Sequence, residues 1–280
     1  MIKNIIDSDL FGNNKVLNAI KLLKYFEPKD KPYWLAFSGG KDSIVIHELA
    51  RMSGVKFQAH YSHTTVDHPE VVRFIRTSYP NCQIDYPKES MWDLIIRKGT
   101  PPTRIIRYCC TELKEGAGPR EFVILGVRRA ESVKRSKREF IEVAKGKKPV
   151  EEIIKMNDNE EKRNALETCY KHNKRIINPI LDWSNAEVWQ FIHNLDLKYP
   201  SLYDKGWKRL GCIGCPMANN KVELEKYPKY KAQYIRTFEK MLKTRDDKGM
   251  SNKYNWKTGQ DVYDWWINYK TPNQEDEFDF

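Results

Sequence analysis

The hexapeptide Ser38-Gly39-Gly40-Lys41-Asp42-Ser43 constrains this chain more than any other feature, because it follows directly on the short apolar run Tyr33 to Phe37 and precedes a helical pattern. From Asp42 to Met52 the residues Ile44, Val45, His47, Leu49 and Ala50 recur at helical spacing, so the segment reads as strand, glycine loop, helix. Two adjacent glycines let the backbone turn tightly and come close to a ligand. Successive N–H groups at a helix N-terminus then form an anion-binding nest. Ser38 and Ser43 add hydroxyl donors, Lys41 sets a positive charge beside a phosphate, and Asp42 caps the helix or helps to hold Mg2+. Neither the Walker spacing nor the dinucleotide Gly-x-Gly-x-x-Gly pattern is present, and a plain Gly-Gly turn is the alternative.

The same alternation continues along the chain. A helix over Lys15 to Glu27 precedes the loop. A strand is expected at Lys56 to Ser62, a helix at Pro69 to Tyr79 and a strand at Gln83 to Tyr86. Glu121 to Val127 reads as a strand buried on both faces, with Ile176 to Ile180 as a further one. The pattern predicts an α/β fold, a parallel twisted sheet flanked by helices, with a helical C-terminal region. A nucleotide-binding domain is expected over residues 1–183, interrupted by a charged, aperiodic and mobile insertion at about 134–174. The C-terminal region 184–280 opens on a capping box, Ser184 with Glu187, and ends in a fraying acidic tail.

Cys109-Cys110 and, about a hundred residues later, Cys212-x-x-Cys215 supply four of the six cysteines. Four thiolates suit an iron-sulfur cluster or tetrahedral zinc, and buried thiols without metal are the third reading. Adjacent cysteines reach different corners of a bulky cluster more readily than one small ion. Cys82 and Cys169 stand alone and read as small apolar residues. Arg128-Arg129 follow an apolar strand and place guanidinium groups where open parallel sheets bind ligands, or else begin a solvated basic loop. Arg104, Arg107, Lys208 and Arg209 flank the cysteine pairs. His60, His63 and His68 lack helical ligand spacing and suit a substrate loop or surface better than metal ligation. The aromatic residues Tyr254, Trp256, Tyr263, Trp265, Trp266 and Tyr269 suit core packing before base stacking.

The formal charge of +11, from 49 Lys+Arg against 38 Asp+Glu, favours polyanionic partners such as nucleic acid, or reflects a lysine-rich solvated surface. No stretch approaches the roughly 18 consecutive apolar residues of a membrane span, and the N-terminus lacks the apolar core of a secretory signal. A cytoplasmic protein without membrane association is expected.

Ser38 to Ser43 resembles the PP-loop of the adenine nucleotide alpha-hydrolase superfamily. Further segments resemble the phosphoadenosine phosphosulfate (PAPS) reductase family in the same order: His60 to Glu70, Arg107 to Lys114, Gly126 to Ser132, Pro179 to Trp183 and Arg209 to Pro216. The resemblance spans about Tyr33 to Met217. It implies a nucleotide cradle of Ser38, Gly39, Gly40, Ser43, Arg128 and Arg129, with Lys41 and Asp42 at the reacting phosphates. It also implies a 4Fe-4S cluster on Cys109, Cys110, Cys212 and Cys215. The substrate would be ATP or a sulfonucleotide, and the partners a nucleic acid or a sulfur-donor protein. The family's reductases attack with a cysteine of a Glu-Cys-Gly motif, and no cysteine follows Cys215 in these 280 residues. Relatives lacking it include ATP-using enzymes of DNA phosphorothioate modification. The expectation is therefore ATP pyrophosphatase chemistry in sulfur transfer, with a sulfonucleotide reductase and a catalytically inactive regulator or nucleic-acid adaptor as alternatives.

Overall fold

The computed structural model describes residues 14–115, 122–143, 175–218, 220–250 and 255–268. Six strands form one sheet in the order β3-β2-β1-β4-β6-β5. These are β1 (Tyr33–Ala36), β2 (Phe57–Ser62), β3 (Gln83–Asp85), β4 (Phe122–Ile124), β5 (Ile141–Val143) and β6 (Arg175–Ile177). All neighbours run parallel except β5, which pairs antiparallel with β6 at the edge. The parallel α/β expectation holds. The order reverses between β1 and β4, and at such a switch point the loops leave in opposite directions and open a crevice at the carboxyl ends of the strands.

Helices α1 (Lys15–Tyr25) and α2 (Lys41–Ser53) cover the sheet, with Gly54 closing α2 at φ 74°. α3 (Pro69–Ser78) opens on proline, which its first turn tolerates because that N–H has no intrahelical partner. α4 (Met91–Lys98) was not anticipated. It is eight residues long, and Ser90 accepts the Asp93 N–H at its start while Gly99 ends it at φ 65°. The capping box of Ser184 and Glu187 forms as expected at the start of the Asn185–Asn194 helix.

Two strands stop two or more residues before the apolar runs that announced them end. β4 stops at Ile124 because Gly126 must pass the backbone of Asp42, where an added Cβ would come within 3.1 Å. β6 stops at Ile177 because Pro179, two residues on, has no N–H for the ladder. The start of the charged segment is structured rather than aperiodic: Val133–Ser136 forms a helical turn and Ile141–Val143 forms β5. The reason is tertiary, since β5 gains its order from pairing with β6 and from Asn178, which donates to the Glu139 carbonyl. Residues 144–174, Cys169 among them, the acidic tail, Tyr254 and Tyr269 lie outside the described residues.

Two apolar cores result. The first lies on the sheet and takes in α1, α2, Trp183, Val188, Phe191, Ile192 and Leu202. The second joins Met91, Leu94 and Ile95 of α4 to Leu113, Ile213 and the C-terminal helices Pro228–Asp247 and Gly259–Asn268. Trp256, Tyr263 and Trp266 are buried there, as packing residues.

Candidate active site

The glycine loop sits where β1 ends, beside the reversal in strand order. Gly39 has φ +71°, and an added Cβ would lie 2.9 Å from Ile75 Cδ1 and Val71 Cγ1 of α3, so only glycine fits. Ser38 Oγ accepts the Gly40 N–H and lies 3.2 Å from Ser43 Oγ, whose own hydroxyl donates to the Gly40 carbonyl at 2.7 Å. No side chain caps α2 at Gly40. The Lys41 N–H instead donates to the Tyr203 hydroxyl at 3.0 Å.

Lys41 is 7% exposed and its ammonium lies 3.2 Å from Asp42 Oδ2. Arg128, 4% exposed, donates from Nε to Asp42 Oδ1 at 2.6 Å and from Nη1 to the Trp183 carbonyl. Both Asp42 oxygens are thus committed to cations, which leaves this carboxylate poorly suited to hold Mg2+. Arg129 sits differently. Its guanidinium donates to the Arg138 carbonyl, approaches Glu139 and lies over the Phe140 ring. Of the two arginines, Arg128 contacts the loop.

The two cysteine pairs come together. Tyr108–Cys110 forms one helical turn that continues as a π turn over Thr111–Glu115, and Cys212 to Cys215 form a loop with Gly214 at φ +75°. That loop is docked by backbone: Ile213 N–H donates to the Val66 carbonyl at 2.7 Å, and Cys212 bridges Asp67. The Cys109 thiol is held up by its hydrogen bond to Cys110, by burial and by the charges of Cys110, Cys212 and Cys215. Cys110 is pulled down by that hydrogen bond and by Arg107, 3.6 Å from its sulfur. Burial raises the Cys215 thiol. Thr64 Oγ1 lies 3.4 Å from Cys212 Sγ, and the Cys212 charge beside Lys114 holds that lysine in its ammonium form. Among the described residues no three His, Cys, Asp or Glu side chains are arranged to hold a single metal ion. Cys82 is apart, bonded to the Gln83 carbonyl, its thiol pushed up to about 12 by burial.

Sequence reasoning missed Tyr203 and singled out neither Lys114 nor Thr64, although both lie in matched segments; Asp67 was read only beside the histidines. Tyr203 carries no motif signal of its own. Lys114 was the last residue of a matched segment, four positions beyond Cys110, and that one-turn spacing was the available clue. The histidines do not gather: His60 bonds Asp85 and stacks on Trp34, His63 lies 3.8 Å from Asp67, and His68 is buried against Trp207 and Tyr227.

The model of the phosphoadenosine phosphosulfate reductase domain matches residues 32–218. This chain belongs to that family. The PAPS reductase family lies within the adenine nucleotide alpha-hydrolase superfamily, and the match covers both the loop and the cysteine pairs. An uncharacterised protein of Methanocaldococcus jannaschii is 31% identical over 219 residues, which cover 74% of this chain and 47% of that protein. A second from the same organism is 26% identical over 81% of this chain and 44% of its own length. This member of the family thus spans about half the length of these relatives. The adenosine 5'-phosphosulfate reductase of Oceanobacillus iheyensis is 23% identical over 74% of this chain and 81% of its own. A crystal structure of PAPS reductase from Candida auris in a phosphate complex has a TM-score of 0.47 at 18% identity, covering 70% of this chain and 88% of that one. No helix among the described residues is long and apolar enough to cross a membrane.

Proposed function

We propose that the chain is a PP-loop ATP pyrophosphatase that activates an acceptor for sulfur transfer, including sulfur modification of nucleic acid. The observation that carries this reading is the N-terminus of α2. It has no side-chain cap and lies at the strand-order reversal, with Lys41 and Arg128 converging on Asp42. Ser38, Gly39, Gly40 and Ser43 cradle the phosphates, Lys41 neutralises the charge that builds on the leaving pyrophosphate, and Asp42 orients Lys41 and Arg128. An acceptor oxygen attacks the α-phosphorus, the bond to the β-phosphate oxygen breaks, and pyrophosphate leaves. A sulfur nucleophile supplied by a donor protein then displaces AMP from the acceptor.

Cys109, Cys110, Cys212 and Cys215 would hold a 4Fe-4S cluster. Four thiolates on one zinc ion must crowd to roughly 4 Å from one another, given Zn–S distances of about 2.3 Å. A cluster spreads the four thiols of the two segments over a larger body, and Lys114 and Arg107 beside them suit its negative charge. Such a cluster supplies redox-active iron whose properties follow the surrounding charges and hydrogen bonds. Lys114, Arg107 and the Thr64 hydroxyl provide them.

The likeness to adenosine 5'-phosphosulfate reductase favours a second reading, sulfonucleotide reduction. Against it, among the described residues no thiol outside the four-cysteine site is poised as a nucleophile, Cys82 being held protonated by burial. Anaerobically purified protein is to be given ATP, and pyrophosphate followed with and without nucleic acid. Pyrophosphate release that falls at least a hundredfold in Lys41→Ala supports adenylation. Sulfite release from adenylyl sulfate plus thiol, without pyrophosphate from ATP, establishes the reductase. Nucleotide binding with neither product identifies a regulator.

A further inference from the structure

The flank of α3 away from the glycine loop lines an open cleft of about 580 Å3, walled by Arg73, Arg76 and His63 and floored by Thr65, Asp67 and Tyr230. Its one acidic residue, Asp67, is already occupied, accepting from the Thr64 N–H at 2.6 Å and the Thr64 hydroxyl at 2.9 Å. Hydrogen bonds from neutral donors do not cancel its charge, but two arginines against one buried aspartate leave the cleft net positive. Arg73 is exposed, and no ion pair engages it among the described residues. Arg76 donates to the hydroxyl of Tyr86 at 3.0 Å. The Tyr86 ring is 62% exposed and lies 5.2 Å from the His63 ring. Arginines three residues apart on a helix are separated by about 4.5 Å along its axis, a spacing that serves neighbouring phosphates of one strand. An uncovered aromatic face beside them is a stacking platform for a base.

We propose that this cleft binds a single-stranded segment of nucleic acid, with Arg73 and Arg76 on phosphates and a base stacked on Tyr86 and His63. A duplex keeps its bases stacked inside and would leave the Tyr86 ring without a partner. An acidic peptide would use the arginines and leave the Tyr86 ring idle. The location gives the cleft a purpose. Its floor residue Asp67 bridges Cys212, Thr64 beside it touches the Cys212 sulfur, and Tyr230 donates to the Asp67 carbonyl. The opposite face of α3, Val71 and Ile75, packs on Gly39 of the nucleotide loop. One helix thus borders both the cleft and the nucleotide loop, on opposite faces, while the cleft floor adjoins the Cys212 loop; that the bound strand is the acceptor rests on the adenylation reading. Strand binding itself requires no turnover.

Fluorescence anisotropy of the purified full chain with end-labelled single strands of about a dozen nucleotides, in separate RNA and DNA arms, tests the assignment. The Arg73→Glu, Arg76→Glu double variant should bind at least tenfold more weakly. Its log-affinity against log-salt slope should be shallower by about 1.4, two phosphates at roughly 0.7 each. Tyr86→Ala should weaken binding severalfold with the slope unchanged, and the matching duplex should compete poorly. The preferred arm identifies the strand as RNA or DNA. Unchanged affinity in the folded double variant, verified by its melting curve, overturns the proposal. So does polyglutamate competing as well as the strand while Tyr86→Ala has no effect, which would make the cleft an acidic-protein surface. Pyrophosphate release from ATP by the parent chain with the strand present reports the adenylation reading separately: strand binding with no such release sinks that reading and leaves the cleft, whereas release together with unchanged strand affinity in the double variant sinks the cleft only.

Discussion

Gly39 and Gly40 are neighbours with different reasons for being glycine. Gly39 lies in the left-handed region with α3 side chains where a Cβ would go, so Gly39→Ala should lower stability by about 1–3 kcal/mol, read as a drop in melting temperature. Gly40 has φ −81°, and a Cβ there would meet only Tyr203 Oη at 3.3 Å and Ser38 Oγ at 3.4 Å. Gly40→Val should therefore fold, with melting within a few degrees of the parent, and lose ATP binding because its methyls fill the cradle. Unchanged ATP affinity in the folded variant, by calorimetric titration, would remove the loop from phosphate binding. Of these two roles, the need for glycine was legible in the hexapeptide, but which glycine the fold requires was not, since α3 supplies the obstruction.

Between elements, the pair that matters most joins α2 to the loop after β4. Arg128 and Asp42 are 86 residues apart, and their side chains are 5% and 20% exposed. Truncating one partner of a buried pair strands the other, so Arg128→Ala should cost about 2–4 kcal/mol in urea unfolding. Arg128→Lys should recover little of it, since one ammonium cannot reach both the Asp42 carboxylate and the Trp183 carbonyl as the fork does. The cysteine loop is held to the turn after β2 in the same cross-chain manner. Serine at any of Cys109, Cys110, Cys212 or Cys215 should lower bound iron, measured by metal analysis and absorption near about 400 nm, whereas Cys82→Ser should leave it unchanged. α4 and β5 were not legible as elements. α4 is one short apolar stretch between turns, and β5 is three residues whose order comes from β6.

Across the molecule, Glu223 of the helix Asn220–Lys226 is a buried carboxylate packed against the cysteine loop. It is 6% exposed, accepts the Gly214 N–H at 3.0 Å, and burial pushes its pKa up to about 7. A carboxyl whose folded pKa is raised binds its proton more tightly in the folded state. Its contribution is therefore fully present below about 4.5 and is lost as pH rises through about 7. Glu223→Gln keeps an acceptor for Gly214 without the buried charge. It should melt higher than the parent at pH 8, by an amount worth up to about 3 kcal/mol, and differ little at pH 5. A pH-independent difference would contradict this account.

The alternation of apolar runs with helical periods, the glycine hexapeptide, the Ser184 capping box and the two cysteine pairs were all readable in the chain. Each is encoded within a few residues by side-chain spacing or backbone freedom. The parallel sheet followed from that alternation, and the family resemblance from the order of the motifs. Tertiary structure alone set Tyr203 on the Lys41 N–H from 162 residues away, turned Arg128 to Asp42 and Arg129 toward Arg138, and brought Thr64 to Cys212 across 148 residues. Such contacts leave no periodic trace. They arise where backbone donors, buried charges and close approaches from distant segments must be satisfied together, and only the packing of the sheet against the C-terminal helices decides which residues meet.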